Sequence, residues 1–136
     1  MLSIMDLKYY SIATEKELRI KLEELAKKAT KLQSISKIES NKETAQEYTT
    51  KAKEIKQQMV TLVCETYLNN PRNTFYTDFL RETGKIRKDA TNRHAVISEE
   101  LAEEASKNTL IRNCIRKGRR MSEEQQQNST PAEFEA

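Results

Sequence analysis

Apolar residues in the first half of the chain recur at helical spacing. From Leu18 they step to Leu22, Leu25, Ala29 and Leu32, at alternating intervals of four and three. That alternation is a heptad seam, whose side chains fill the holes of a facing helix. Thr14-Glu15-Lys16-Glu17 stands before it as a capping box: the Thr14 hydroxyl suits the Glu17 amide, and the Glu17 carboxylate suits the Thr14 amide. The spacing therefore predicts a helix opening near Thr14, supported on its outer face by the Glu15/Arg19 and Glu24/Lys28 pairs.

The seam drifts at Ile35 and Ile38, and the next stretch is rich in Ser34, Ser36, Ser40 and Asn41. Ser40 and Glu43 form a second capping box. A new seam then runs through Ala45, Tyr48, Ala52, Ile55, Met59, Leu62 and Thr66. Extending the first register would place Glu39, Glu43, Gln46, Thr50 and Lys53 on the seam instead. The two seams are out of phase. A long antiparallel, coiled-coil-like hairpin turning near residues 38–43 is the simpler reading. One continuous helix with a stutter is the other, and no glycine or proline marks the turn.

Beyond residue 68 the pattern changes. Asn70 as N-cap and Pro71 at the first helical position predict a short aromatic helix carrying Phe75, Tyr76, Phe79 and Leu80, with Gly84 as its stop. A last helical region runs from about Ile86 to Lys117. Ser98-Glu99-Glu100 reads there as an N-cap with an acidic first turn, and Arg112, Arg116 and Lys117 crowd the end before Gly118. Whether residues 86–97 join this helix or precede it stays open. The expected architecture is all-α: a helical domain over 1–118, divided into 14–68 and 71–118, and a disordered acidic tail over 119–136.

Composition narrows the function classes. Ala, Glu, Lys, Leu and Arg supply 64 of 136 residues, a share typical of long helices and coiled coils. Two glycines build neither a dinucleotide-binding turn nor a phosphate loop, and one histidine builds no multi-histidine metal site. No cofactor is expected. His94 with Cys64 or Cys114 is the sole cysteine–histidine pairing on offer. Cys64 falls toward the outer face of its helix and Cys114 reads as a small core residue, so no enzyme is expected. Two widely separated cysteines make no disulfide framework, and the N-terminal stretch lacks the features of a signal peptide. The expectation is a cytoplasmic, or else nuclear, protein with reduced thiols and no membrane span.

Charge adds a second candidate surface. The net charge is +3, but eight of nine arginines follow residue 70, whereas the seamed half relies on lysine. Arg81, Lys85, Arg87, Lys88 and Arg93 form one cluster. Arg112, Arg116, Lys117, Arg119 and Arg120 form another. Such clusters suit an acidic protein, nucleic-acid phosphates or plain solvation. With a mean hydropathy of −0.84, the chain has little apolar material for a thick core. The expected function is a non-enzymatic interaction module, an adaptor, regulator or structural subunit, that meets a protein partner or a second copy of itself. Its contact residues would be Leu18, Leu22, Leu25, Leu32, Tyr48, Ile55, Met59, Leu62, Phe75 and Phe79. A nucleic-acid-binding regulator using the two arginine clusters is the alternative. No small-molecule substrate is expected.

Overall fold

The computed structural model describes the backbone of residues 4–92 and 96–135, and side chains over 15–92 and 96–127. Among these residues there are four helices and no strand: α1 (Ile4–Ile38), α2 (Lys42–Asn69), α3 (Phe75–Thr91) and α4 (Glu99–Glu135). The all-α expectation holds.

The boundaries differ from the sequence reading in instructive ways. α1 runs straight through the Thr14 box, with no glycine or proline anywhere in Ile4–Ile38. The break after α1 spans residues 39–41, and Asn41 caps α2, not Ser40. The Asn41 side chain accepts from the amides of Glu43 at 3.0 Å and Thr44 at 3.4 Å, a cap worth about 1 kcal/mol. Asn70 and Pro71 do not open a helix. The Asn70 side-chain oxygen accepts from the Arg72 amide at 3.3 Å, and the Asn70 carbonyl accepts from the Asn73 amide at 3.2 Å. Pro71 therefore sits inside a tight turn, where its fixed φ is favoured. α3 begins four residues later and continues past Gly84, taking in residues 86–91. Ser98 caps α4 as read: its hydroxyl accepts from the Leu101 amide at 3.1 Å and its carbonyl from the Ala102 amide at 3.0 Å.

One core forms where α1, α2 and α4 meet. Leu18, Leu22, Leu25 and Ala26 of α1 pack with Met59, Val60, Val63 and Tyr67 of α2 and with Ile111, Cys114 and Ile115 of α4. Three residues separate α1 from α2. α3 covers the remaining side and inserts Phe75 and Phe79. It is tied to α1 by an ion pair between Arg19 and Glu82 at 2.6 Å. The Arg19 guanidinium also lies 4.9 Å from the Phe79 ring centre, within cation–π range.

Gly118 does not end α4. It is buried in the middle of the helix at the crossing with α2. A Cβ placed there would lie 2.6 Å from Val63 Cβ and 2.7 Å from the Val60 carbonyl oxygen. The glycine lets two backbones approach. The helix then carries on through the segment read as a disordered acidic tail, with its backbone helical to Glu135. Ser122 is buried and donates to the Arg119 carbonyl at 2.7 Å, and Met121 packs against the core. These two side chains hold the first turn beyond Gly118 against the core.

Glu15 carries an electrostatic burden. Desolvation, and then the negative charge of Asp78, raise its carboxyl above the ordinary value of 4.5. A raised carboxylate pKa means that Glu15 helps the fold below the ordinary value and that this help is lost as pH rises through the folded value. Glu15→Gln is therefore expected to be more stable than the parent at neutral pH, with the gap closing below about pH 4. Urea unfolding at both pH values checks the sign.

Candidate interaction surface

The residues expected to form a contact seam are mostly inside the molecule. Leu18, Leu22, Leu25, Met59, Phe75 and Phe79 are buried in the core of the single chain. Leu32, Tyr48, Ile55 and Leu62 are half-buried. At the end of α1 the drift noted in the sequence leaves Ile38 83% exposed. The buried arc is also wider than a heptad stripe. Val60, Val63, Cys64 and Tyr67 are buried although the α2 seam omits them. A helix with neighbours on two sides needs that wider arc.

The basic clusters are dispersed. Arg81 pairs with Asp78 at 2.9 Å. Arg119 reaches Glu123 at 3.5 Å and lies 5.8 Å and 6.0 Å from the ring centres of Tyr67 and Tyr76. Those tyrosines are themselves joined, with the Tyr76 amide donating to the Tyr67 hydroxyl at 3.2 Å. Burial raises the Tyr67 phenol, while that amide and Arg119 pull it back. Arg87 and Arg112 line a cavity between α3 and α4. Lys85, Lys88, Arg116 and Arg120 are exposed, and Arg93 lies outside the described residues.

The remaining member, Lys117, belongs to a surface that the linear charge map did not reveal. A groove of about 650 Å³ runs between α2 and α4. Val60, Leu110, Cys114 and Met121 supply its apolar lining, and Lys53, Lys56 and Lys117 its charge. None of its lining side chains is acidic. Lys53 and Lys56 stand three apart on α2, which puts them on neighbouring positions of one face. That spacing was visible in the sequence, but its convergence with Lys117 depends on how α4 crosses α2. A comparable groove between α1 and α4 is different. Its Lys27, Lys31 and Lys107 face Glu100, Glu103 and Glu104, and Lys107 pairs with Glu104 at 3.0 Å. That groove carries its own counter-charges.

Comparison with family models, with curated proteins and with solved structures found no match. The surface chemistry is thus the guide to function.

The thiols have no activated character. Cys114 is buried as read, but Cys64 is also buried, not outward-facing. The sequence placed it by the α2–α1 seam alone. Desolvation leads in raising both thiols above the ordinary cysteine value; Glu65 adds to it at Cys64, while Lys56 and Lys117 oppose it at Cys114. A nucleophilic cysteine needs the opposite shift. His94, the proposed partner of either thiol, lies outside the described residues. Among the described residues no group of His, Cys, Asp and Glu is arranged to hold a metal ion, and no helix is long and apolar enough to cross a membrane.

Proposed function

We propose that this chain is a non-enzymatic helical interaction module, and that it binds an acidic amphipathic segment of another protein in the α2/α4 groove. The observation that carries this reading is the pairing of an apolar lining with three lysines and no lining carboxylate. An amphipathic helix lays its apolar side chains into such a groove, and flanking glutamates meet the rim. Charge complementarity of this kind sets encounter rate and partner choice. Burial of much of the heptad within the chain supports this groove over the seams as the proposed contact surface. The two unpaired thiols suit a reducing compartment such as the cytoplasm.

The test is fluorescence anisotropy with a labelled helical peptide bearing leucines at i, i+3 and i+7 and glutamates beside them. Its lysine-for-glutamate twin and a generic DNA duplex serve as competitors. Micromolar binding of the acidic peptide is expected, weakened by about tenfold or more in the Lys53→Glu, Lys56→Glu, Lys117→Glu triple variant. Equal binding of the lysine twin, or none of either peptide, overturns the proposal. Tighter binding of the duplex, with a steep salt dependence lost in Arg116→Ala and Arg120→Ala, replaces it with nucleic-acid recognition.

A further inference from the structure

The groove between α2 and α4 continues past its lysines. Lys56, Leu110 and Asn113 line it, and the same three residues line a second depression, of about 510 Å³, whose far wall is α1. On α4 the lining of the two makes one stripe: Ala102, Ser106, Leu110, Asn113, Lys117 and Met121, at intervals of four or three. Such intervals keep side chains on one side of a helix. Ile111 and Ile115, which enter the core, do not belong to the stripe. From Ala102 to Met121 the trough follows α4 for about 28 Å at the helical rise. The stretch along α2 alone, from Leu110 to Met121, is about 16 Å long.

The two ends of the trough differ in chemistry. At the α2 end, Val60, Cys114 and Met121 stand beside three lysines with no carboxylate in the lining. At the α1 end, Lys37 and Glu103 offset each other, and Gln33, Ser34, Ser106 and Asn113 supply amides and hydroxyls. Among the described residues these four side chains make no hydrogen bond, so their donors and acceptors are open to a partner. A partner that laid apolar side chains over them would strip their water and replace none of its hydrogen bonds.

Resting on the reading of the groove as a seat for an acidic helix, we infer that the occupant is a helix of about 20 residues in two unlike halves. One half is apolar and carries glutamates, and it lies at the α2 end against Lys53, Lys56 and Lys117. The other half is uncharged and presents serine, asparagine and glutamine to the α1 end. Three turns of helix would fill the α2 end and leave the α1 end to water. Glutamates throughout would gain nothing at the α1 end, where Glu103 already answers Lys37. The α1 end therefore selects among acidic helices by length and by the polarity of their second half.

The experiment measures anisotropy of three labelled peptides on the full chain. The short peptide holds only the leucine and glutamate half. The long peptide adds a half with serine, asparagine and glutamine on the same face, and its twin has alanine at those positions. Alanine is the better helix former, so the twin controls for helicity. The long peptide is expected to bind about tenfold more tightly than the short one, and the twin within about threefold of the short one. Ser106→Trp should obstruct the α1 end and bring the long peptide down to the affinity of the short one, which itself stays unchanged. Ser106 is exposed, and Ser34→Trp repeats the test from the α1 wall should the first variant fail to fold. Equal binding of the short and long peptides, equal binding of the long peptide and its twin, or a gain that survives the tryptophans overturns the inference. In each of these results the short peptide still binds, so the reading of the groove itself stands. Loss of binding by all three peptides overturns both.

Discussion

Gly118→Ala is expected to destabilise the fold by about 2 kcal/mol or more, although alanine is the better helix former. The new methyl would stand 2.6 Å from Val63 Cβ, 2.7 Å from Val63 Cγ1 and 2.7 Å from the Val60 carbonyl oxygen. The Val63 Cβ is a branch point and the Val60 oxygen a main-chain atom, and neither of these two can swing aside. α4 would have to withdraw from α2 and loosen the core around Cys114 and Ile115. Gly84→Ala supplies the control. It is also within a helix, but nothing stands within 4 Å of its added Cβ, so the same substitution should stabilise the protein by up to about 1 kcal/mol. Opposite signs in urea denaturation would confirm that Gly118 serves a close helix crossing. A stabilised Gly118→Ala would return it to the role of an ordinary helix end.

Phe79→Ala is expected to cost about 3–5 kcal/mol. Phe79 is 1% exposed and is among the largest fully buried side chains. It fastens α3 to the core, and its ring lies under the Arg19 guanidinium, which also holds Glu82. Truncation opens a cavity and removes the ring from beneath that cation together. Loss should therefore begin in α3, because Phe75 and Phe79 are the two buried residues of that helix. Hydrogen exchange is the telling measurement. Amides of α3 should lose protection before those of α1 and α2, whereas uniform loss across all four helices would show that α3 has no separate stability. Given the thin core of so polar a chain, a loss of this size brings it close to global unfolding.

Much of the fold was legible from periodicity. The heptad steps at Leu18, Leu22 and Leu25 do mark a buried face, and the phase change between the seams does mark a break. What misled were the punctuation residues. Thr14, Ser40, Pro71, Gly84 and Gly118 all carry local signals for helix ends, and none of them ends or begins a helix at the expected position. Local capping is worth about 1 kcal/mol per site, so at Gly118 the burial of Ile115 before it and Ser122 after it prevails. Asn41 outdid Ser40 by one residue for a simpler reason: its side chain reaches two amides from the turn.

The candidate site was less legible. Contiguous basic clusters pointed to residues 81–93 and 112–120, but charge along a helix is distributed around its circumference. Arg119 turned to Tyr67 and Tyr76, Arg81 to Asp78, and Arg112 to the cavity. Only Lys117 of those clusters joined the groove, beside two lysines from the seamed half of the chain.

By itself, the pattern of apolar and polar positions determined that this chain is helical and where its main apolar faces lie, and it marked a change of phase near residue 40 that the structure shows to be a break. Those features depend on spacing within one segment, and spacing is written in the sequence. The tertiary structure alone decided that α4 crosses α2 closely enough to require Gly118, that residues of both seams enter one core within the chain, and that Lys53, Lys56 and Lys117 share a rim. Each of these depends on which helices meet and at what rotation. That choice is settled by the combined burial of side chains from three helices, which no single segment encodes.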